Sequence, residues 1–212
     1  MGLREEKKAE QRRAILRTAI ALFRRRGYQR TRVRDIIERL RISEATFFNY
    51  FPSKDAVLEA FAAEQLDETA VNLKIAIGRQ DRPVPDRIHD LMRLWALAWS
   101  SDREFSVVMA TRSRLLSGPE GVLREKALRN YQLFERLFTQ GQRRAEIRKD
   151  ARPRQLAEML EGIFTITAGN WLVGWWKDET ESLEQRLMRA VEVFLDGCKP
   201  PMPARGGRNR NR

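Results

Sequence analysis

Between positions 6 and 196 apolar residues recur at spacings of three and four, and no stretch sustains the period-two alternation of a half-buried strand. That regularity confines the chain to helices packed on helices. The expected fold class is all-α, and 212 residues suffice to bury a real core. Local signals divide the pattern into nine helices. The first spans about 6–26, and "RRRGY" ends it with Gly27 where a left-handed cap would sit. Thr31 is placed to cap the second, whose inner face carries Val33, Ile36, Ile37 and Leu40. Ser43 caps a third that must stop at Phe51, because Pro52 follows, and Ser53 caps a long fourth over 54–77. "GRQDRPVPDR" breaks the pattern, and helices then read at about 85–100, 103–116, 119–144, 154–176 and 183–196. Ser117 and Glu120 have capping-box spacing at the start of the seventh.

Charge is distributed unevenly. Residues 1–54 hold 15 Lys/Arg against 6 Asp/Glu, residues 55–200 are almost neutral, and the last 12 residues add four arginines. A positive patch confined to a short N-terminal unit is the electrostatic footprint of a polyanion binder, with nucleic acid the first candidate. The expected division is a DNA-binding unit over 1–54, a helical ligand-binding and dimerisation domain over 55–198, and a basic tail over 199–212 with the composition of a disordered segment.

Within the basic unit, two short helices are joined by "LRIS" and the first helix offers an apolar stripe to pack across both. This is helix-turn-helix geometry, in which the second short helix enters the major groove. Four aromatics crowd its end. Phe47 and Phe51, with Ile42, face the core at helical spacing, whereas Phe48, Asn49 and Tyr50 are left toward the outside. "TRVRDIIERLRISEATFFNYFPSKDAVLEAF" resembles the DNA-binding unit of the TetR family of one-component repressors. The resemblance implies a homodimer, a palindromic double-stranded DNA operator and a ligand cavity within each larger domain. Carried over, its DNA-facing set is Arg34, Glu44, Ala45, Thr46, Phe48, Asn49 and Tyr50, with Ser43 capping the reading helix and Lys54 holding a phosphate. Two positions depart from the family pattern. Arg41 stands where the turn usually has glycine, which puts the left-handed conformation in question and adds a possible phosphate contact. Phe48 stands where a tyrosine hydroxyl usually reaches a phosphate. Asn49 has the amide needed to pair with adenine, and Glu44 can accept from cytosine or simply favour the helix N-terminus.

The helix at 154–176 is apolar almost all round, so both faces must be covered. Leu156, Leu160, Ile163 and Thr167 form one side. Met159, Ile166, Val173 and Trp176, with Gly162 and Gly169, form another that most simply meets a second copy. The last helix (Leu183, Leu187, Val191, Phe194) is expected alongside, giving a homodimer through the last two helices. The effector pocket is expected among the middle helices. Its apolar candidates are Met92, Trp95, Trp99, Phe105, Met109, Phe138, Phe164, Trp171 and Trp175, and its polar ones His89, Arg112, Thr167 and Asn170. That supply suits a bulky hydrophobic or aromatic small molecule.

Other classes fit less well. One histidine and one cysteine cannot build a multi-His or Cys/His metal site, and no phosphate loop or nucleophile elbow is present, so neither catalysis, a metal nor a cofactor is expected. Lone Cys198, the charged start and the absence of a roughly 20-residue apolar run point to a cytoplasmic protein without a membrane segment. An architectural DNA binder or a protein-interaction module remains the alternative. Only a sequence reader combines a salt-dependent affinity with a large preference for one site.

Overall fold

Three serine hydroxyls decide where three of the helices begin. Ser43, Ser53 and Ser182 accept hydrogen bonds from the main-chain N–H of Thr46 (3.0 Å), Ala56 (3.0 Å) and Gln185 (3.2 Å), satisfying donors that a helix start leaves orphaned. The computed structural model describes residues 2–116, 121–175 and 180–200, with the side chains of 113–116 left aside. Within them lie α1 (Leu3–Arg26), α2 (Val33–Leu40), α3 (Glu44–Tyr50), α4 (Lys54–Gly78), α5 (Val84–Ser100), α6 (Arg103–Leu116), α7 (Val122–Arg143), α8 (Pro153–Val173) and α9 (Leu183–Gly197). The fold is all-α, and the described residues contain no strand.

Several expected details are corrected. Thr31 does not cap α2; Arg32 occupies that position, and the buried Thr31 hydroxyl donates backward to the carbonyl of Gly27 at 2.9 Å. It closes the preceding helix rather than opening the next. Asp35 instead satisfies the start of α2, accepting from the Arg32 N–H at 2.7 Å. Gly27 has a positive φ of 82° but an extended ψ of 146°, so it turns the chain without forming a left-handed helical cap. Helix α8 stops at Val173 because Gly174 (φ 64°, ψ 42°) takes the left-handed conformation and returns its N–H to Asn170 and Trp171. Ser117, Glu120 and Trp176 lie outside the described residues.

The buried side chains form two cores. One joins α1, α2 and α3 through Ile15, Ala19, Phe23, Ile36, Phe47 and Phe51, and continues into Val57 and Leu58 of α4 and Phe105 of α6. The other gathers Leu73, Ile88, Met92, Leu137, Phe138, Leu160 and Val191 from α4, α5, α7, α8 and α9. Helix α4 therefore serves both. At 25 residues it is about 37 Å long, and it carries the chain from the first core into the second. Its far end is closed by a residue without a signal in the sequence. Arg87, 2% exposed, donates to the carbonyl of Ala76 at 2.9 Å and to Gln140 Oε1 at 3.2 Å, placing a cation at the negative end of the helix.

Candidate nucleic-acid interface

The unit around α3 is built so that one face of a seven-residue helix is fixed and the other is free. Phe47 (0% exposed) and Phe51 (2%) anchor it, with ring centroids 6.3 Å apart, and Arg12 of α1 lies 4.9 Å over the Phe51 ring. Glu44, Ala45, Phe48 and Asn49 are exposed on the opposite side. Tyr50, expected outside, is half-buried against the core and straddles the two faces. Phe48 is held edge-on against Phe47 at 5.3 Å, so its exposed ring has a defined direction. The hydroxyls of Ser43 and Thr46 lie 2.7 Å apart, which ties Thr46 into the cap.

The turn before α3 carries strain. Arg41 adopts φ 54°, ψ 43°, the left-handed conformation that glycine would take at no steric cost. The family geometry is thus kept without the family residue. In that conformation Arg41 donates its N–H to the end of α2 and points an exposed side chain outward. Arg34, also exposed, pairs with Glu38 at 2.7 Å, and that carboxylate raises the guanidinium pKa.

Lys54 is placed differently from its expected role as a phosphate holder. Its ammonium donates to the carbonyls of Tyr28 (2.8 Å) and Thr31 (2.9 Å) and sits 4.1 Å from the centroid of the Tyr28 ring. Burial lowers its pKa. With two of three donors committed, Lys54 staples the start of α4 to the α1–α2 connection. Beside it, the Tyr28 hydroxyl donates to Asp55, which also accepts from Arg112 of α6 at 2.8 Å. Burial first, and the bond to Asp55 second, push the Tyr28 pKa upward. Sequence reasoning missed Tyr28, Asp55 and Arg12, because their partners lie on other helices and no spacing connects them.

The thirteen residues expected to line an effector site fall into separate groups. Trp95, Trp99 and Phe164 form an aromatic cluster with Phe134, with centroids 5.4–5.7 Å apart and edges on faces. Met92 and Phe138 are fully buried in the same core, and Phe138 packs on Phe194. Half-buried Thr167 and Asn170 lie on α8, and His89 is half-buried on α5. Phe105, Met109 and Arg112 belong elsewhere: they sit on the first core, between α6 and the basic unit. Trp171 donates to the Glu181 carbonyl at 3.3 Å beneath the Arg103 guanidinium, while Trp175 is 67% exposed.

Comparison with known proteins matches this arrangement. Residues 15–61 match the family described as bacterial regulatory proteins, tetR family. The regulator TcmR of Streptomyces glaucescens is 26% identical over 95% of this chain and 88% of its own length. The family match falls on the helix-turn-helix unit, which is thus similar to that of the tetR family. TcmR is an HTH-type transcriptional regulator, and DhaR of Mycobacterium sp. (strain GP1), 28% identical over 66% of this chain and 71% of its own length, is an HTH-type transcriptional repressor. Two solved structures share its fold. Thermus thermophilus FadR, a repressor in complex with lauroyl-CoA, aligns at 23% identity with TM-score 0.69 over 92% of this chain and all of its own. Bacillus subtilis FadR in complex with stearoyl-CoA aligns at 16% identity with TM-score 0.69 over 87% and 97%.

The side of α8 expected to meet a second copy is exposed. On α8, Met159, Ile166 and Val173 are 57%, 61% and 60% exposed, and a Cβ on Gly162 or Gly169 would meet nothing within 4 Å. The α9 residues expected alongside, Leu183, Leu187, Val191 and Phe194, are instead consumed by the protein's own core, and Val193 is the large apolar side chain α9 leaves outside. Among the described residues no helix is long and apolar enough to cross a membrane, and no cluster of three or more acidic, His or Cys side chains could hold a metal.

Proposed function

We propose that the protein is a TetR-family transcriptional regulator, a ligand-responsive repressor that reads a palindromic operator as a homodimer. The carrying observation is the free face of α3: Glu44, Ala45, Phe48 and Asn49 project together from a helix whose other side is locked by Phe47 and Phe51. Asn49 is the base reader, Glu44 a second base contact, and Ala45 a surface for a thymine methyl. Arg34, Arg41, Thr46, Tyr50 and the Ser43-capped helix start hold phosphates. Lys54 acts by positioning α4, with its third donor free for the backbone.

The open stripe of α8, with two glycines permitting close approach, supports a dimer built on the last two helices. The effector is hydrophobic and binds around Trp95, Trp99 and Phe164, and the acyl-CoA ligands of the two FadR proteins make long-chain acyl thioesters the first compounds to try. Binding would favour a dimer whose reading heads are wrongly spaced, through contacts that differ between the two states.

Selection of sites from a random duplex pool at physiological salt, with Asn49→Ala in parallel, tests the reading. The parent is expected to recover a palindrome with half-sites about one helical turn apart, which the variant fails to enrich. Equal enrichment by both, or none by either, would refute it. Release of the recovered site by lauroyl-CoA, but not by free CoA, then tests the effector.

A further inference from the structure

Helices α1 and α4 enclose an open groove of about 480 Å³ that the DNA-reading face does not use. Its floor is Leu16, Ile20 and the half-buried ring of Phe61. Arg17, Ala21, Arg24 and Arg25 border it, at spacings of four, seven and eight that put them on one side of α1. Ala21 is the reason the groove exists: a methyl group separates arginines one turn before and one turn after it. Arg17 and Arg25 make no ion pair among the described residues. Arg24 is held loosely, 3.9 Å from Asp102 with its guanidinium over the rings of Phe61 (5.9 Å) and Phe105 (5.1 Å). The one acidic side chain on the lining is Glu64, which comes from α4.

From this we infer that the groove is a binding site for an amphiphilic carboxylate, with the carboxylate among Arg17, Arg24 and Arg25 and its apolar chain laid over Leu16, Ile20 and Phe61. The volume falls in the range of small-molecule sites, and an apolar floor beneath a few charged groups is their usual construction. Three cations, of which only Arg24 is loosely paired with Asp102, outweigh Glu64 on the lining and select a negative head, and Glu64 repels that head from the α4 side, which orients the ligand. A ligand here also acts on the contact between the basic unit and α6. Its carboxylate competes with Asp102 for Arg24, and its chain rests on Phe61, whose ring packs edge-on against Phe105 at 5.6 Å. The site is distinct from the aromatic cluster of the larger domain, so its occupancy is independent of the effector reading above.

The test uses the full chain with dodecanoate below its micellar concentration and dodecanol below its solubility limit, followed by calorimetry. In parallel, a dodecanoate carrying a diazirine near its tail is photolysed and the adduct mapped by mass spectrometry. Dodecanoate is expected to saturate with the adduct on residues 16–25 or 61–64, and dodecanol to bind at least tenfold more weakly. Arg17→Ala/Arg25→Ala should weaken dodecanoate at least tenfold. Ala21→Phe, at an exposed position that folding tolerates, should abolish labelling there by filling the groove while keeping every charge. An adduct confined to the larger domain, equal affinity for the alcohol, or undiminished labelling of Ala21→Phe would overturn the proposal.

Discussion

Nη1 of Arg112 lies 2.8 Å from Oδ1 of Asp55, joining α6 to the first turn of α4 across 57 positions of sequence. The same guanidinium covers the Tyr28 ring at 4.8 Å, and Tyr28 donates to the same carboxylate. The pair is partly exposed, with side chains 33% and 45% accessible, so its contribution to stability is modest. A double-mutant cycle of Arg112→Met and Asp55→Asn in chemical denaturation should give a coupling of about 0.5–1 kcal/mol. The larger effect is expected on signalling. Arg112→Met should keep operator affinity within a few-fold yet blunt its response to effector, and an unchanged response would show that this contact transmits nothing.

Arg41 holds a conformation that costs a side-chain-bearing residue about 1–2 kcal/mol, of which glycine's greater unfolded-state freedom would return roughly half. Arg41→Gly should therefore raise stability by about 0.5–1 kcal/mol in urea melts. If the arginine also holds a phosphate, the same variant should bind DNA more weakly and lose about one unit from the slope of log affinity against log salt. The two readouts move in opposite directions, which no general loss of folding can imitate.

Gly162 separates the folding of one protomer from its association. A Cβ there meets nothing within 4 Å, so Gly162→Ala should stabilise the lone helix by about 1 kcal/mol. Were α8 the dimer face, the added methyl would hold the two backbones apart. Sedimentation equilibrium should then show at least tenfold weaker self-association. Unchanged association would place the dimer interface elsewhere.

The helices were legible because each carries its own local signal: periodic apolar faces, Ser43 and Ser53 before helix starts, Pro52 after a helix end. The exposed side of α3 was legible for the same reason, since helical spacing alone separates buried Phe47 and Phe51 from exposed Phe48 and Asn49. What could not be read were relationships between helices. Lys54 is drawn inward by carbonyls of residues 28 and 31, and Phe105, Met109 and Arg112 are drawn to the basic unit rather than to the aromatic cluster. Composition groups such residues together, whereas crossing geometry divides them. The stripe of Leu183, Leu187, Val191 and Phe194 shows the same limit, because an apolar face announces burial without saying against what.

Cys198 gives the protein a response to alkaline pH. Burial pushes its thiol from about 9 up to about 11. A folded-state pKa raised above the unfolded value means that the stabilising contribution is complete below pH 9 and is lost as pH rises toward 11. Tyr28 is raised as well and adds a loss above about pH 10, whereas Lys54, lowered by burial, opposes it. Urea-melt stability measured between pH 8 and 11 should fall, and Cys198→Ala should flatten the part between 9 and 10. The thiol, 3% exposed, should also react with alkylating reagents far more slowly than free cysteine at pH 8.

Phe48 offers a gain of function. Its ring is 44% exposed and is aimed by an edge contact with buried Phe47, so a hydroxyl at its tip would extend outward without disturbing the core. A hydrogen bond to a phosphate is charge-assisted, and such bonds contribute about 1.5–3 kcal/mol. Ordering the side chain takes back part of this, so Phe48→Tyr should tighten DNA binding by roughly tenfold, about 1.4 kcal/mol. Because phosphates carry no sequence information, operator and unrelated duplex should gain alike and their ratio should hold. Titration of both duplexes at one salt concentration measures this. A gain limited to the operator would put position 48 against a base, and no gain on either would remove it from the DNA contact altogether.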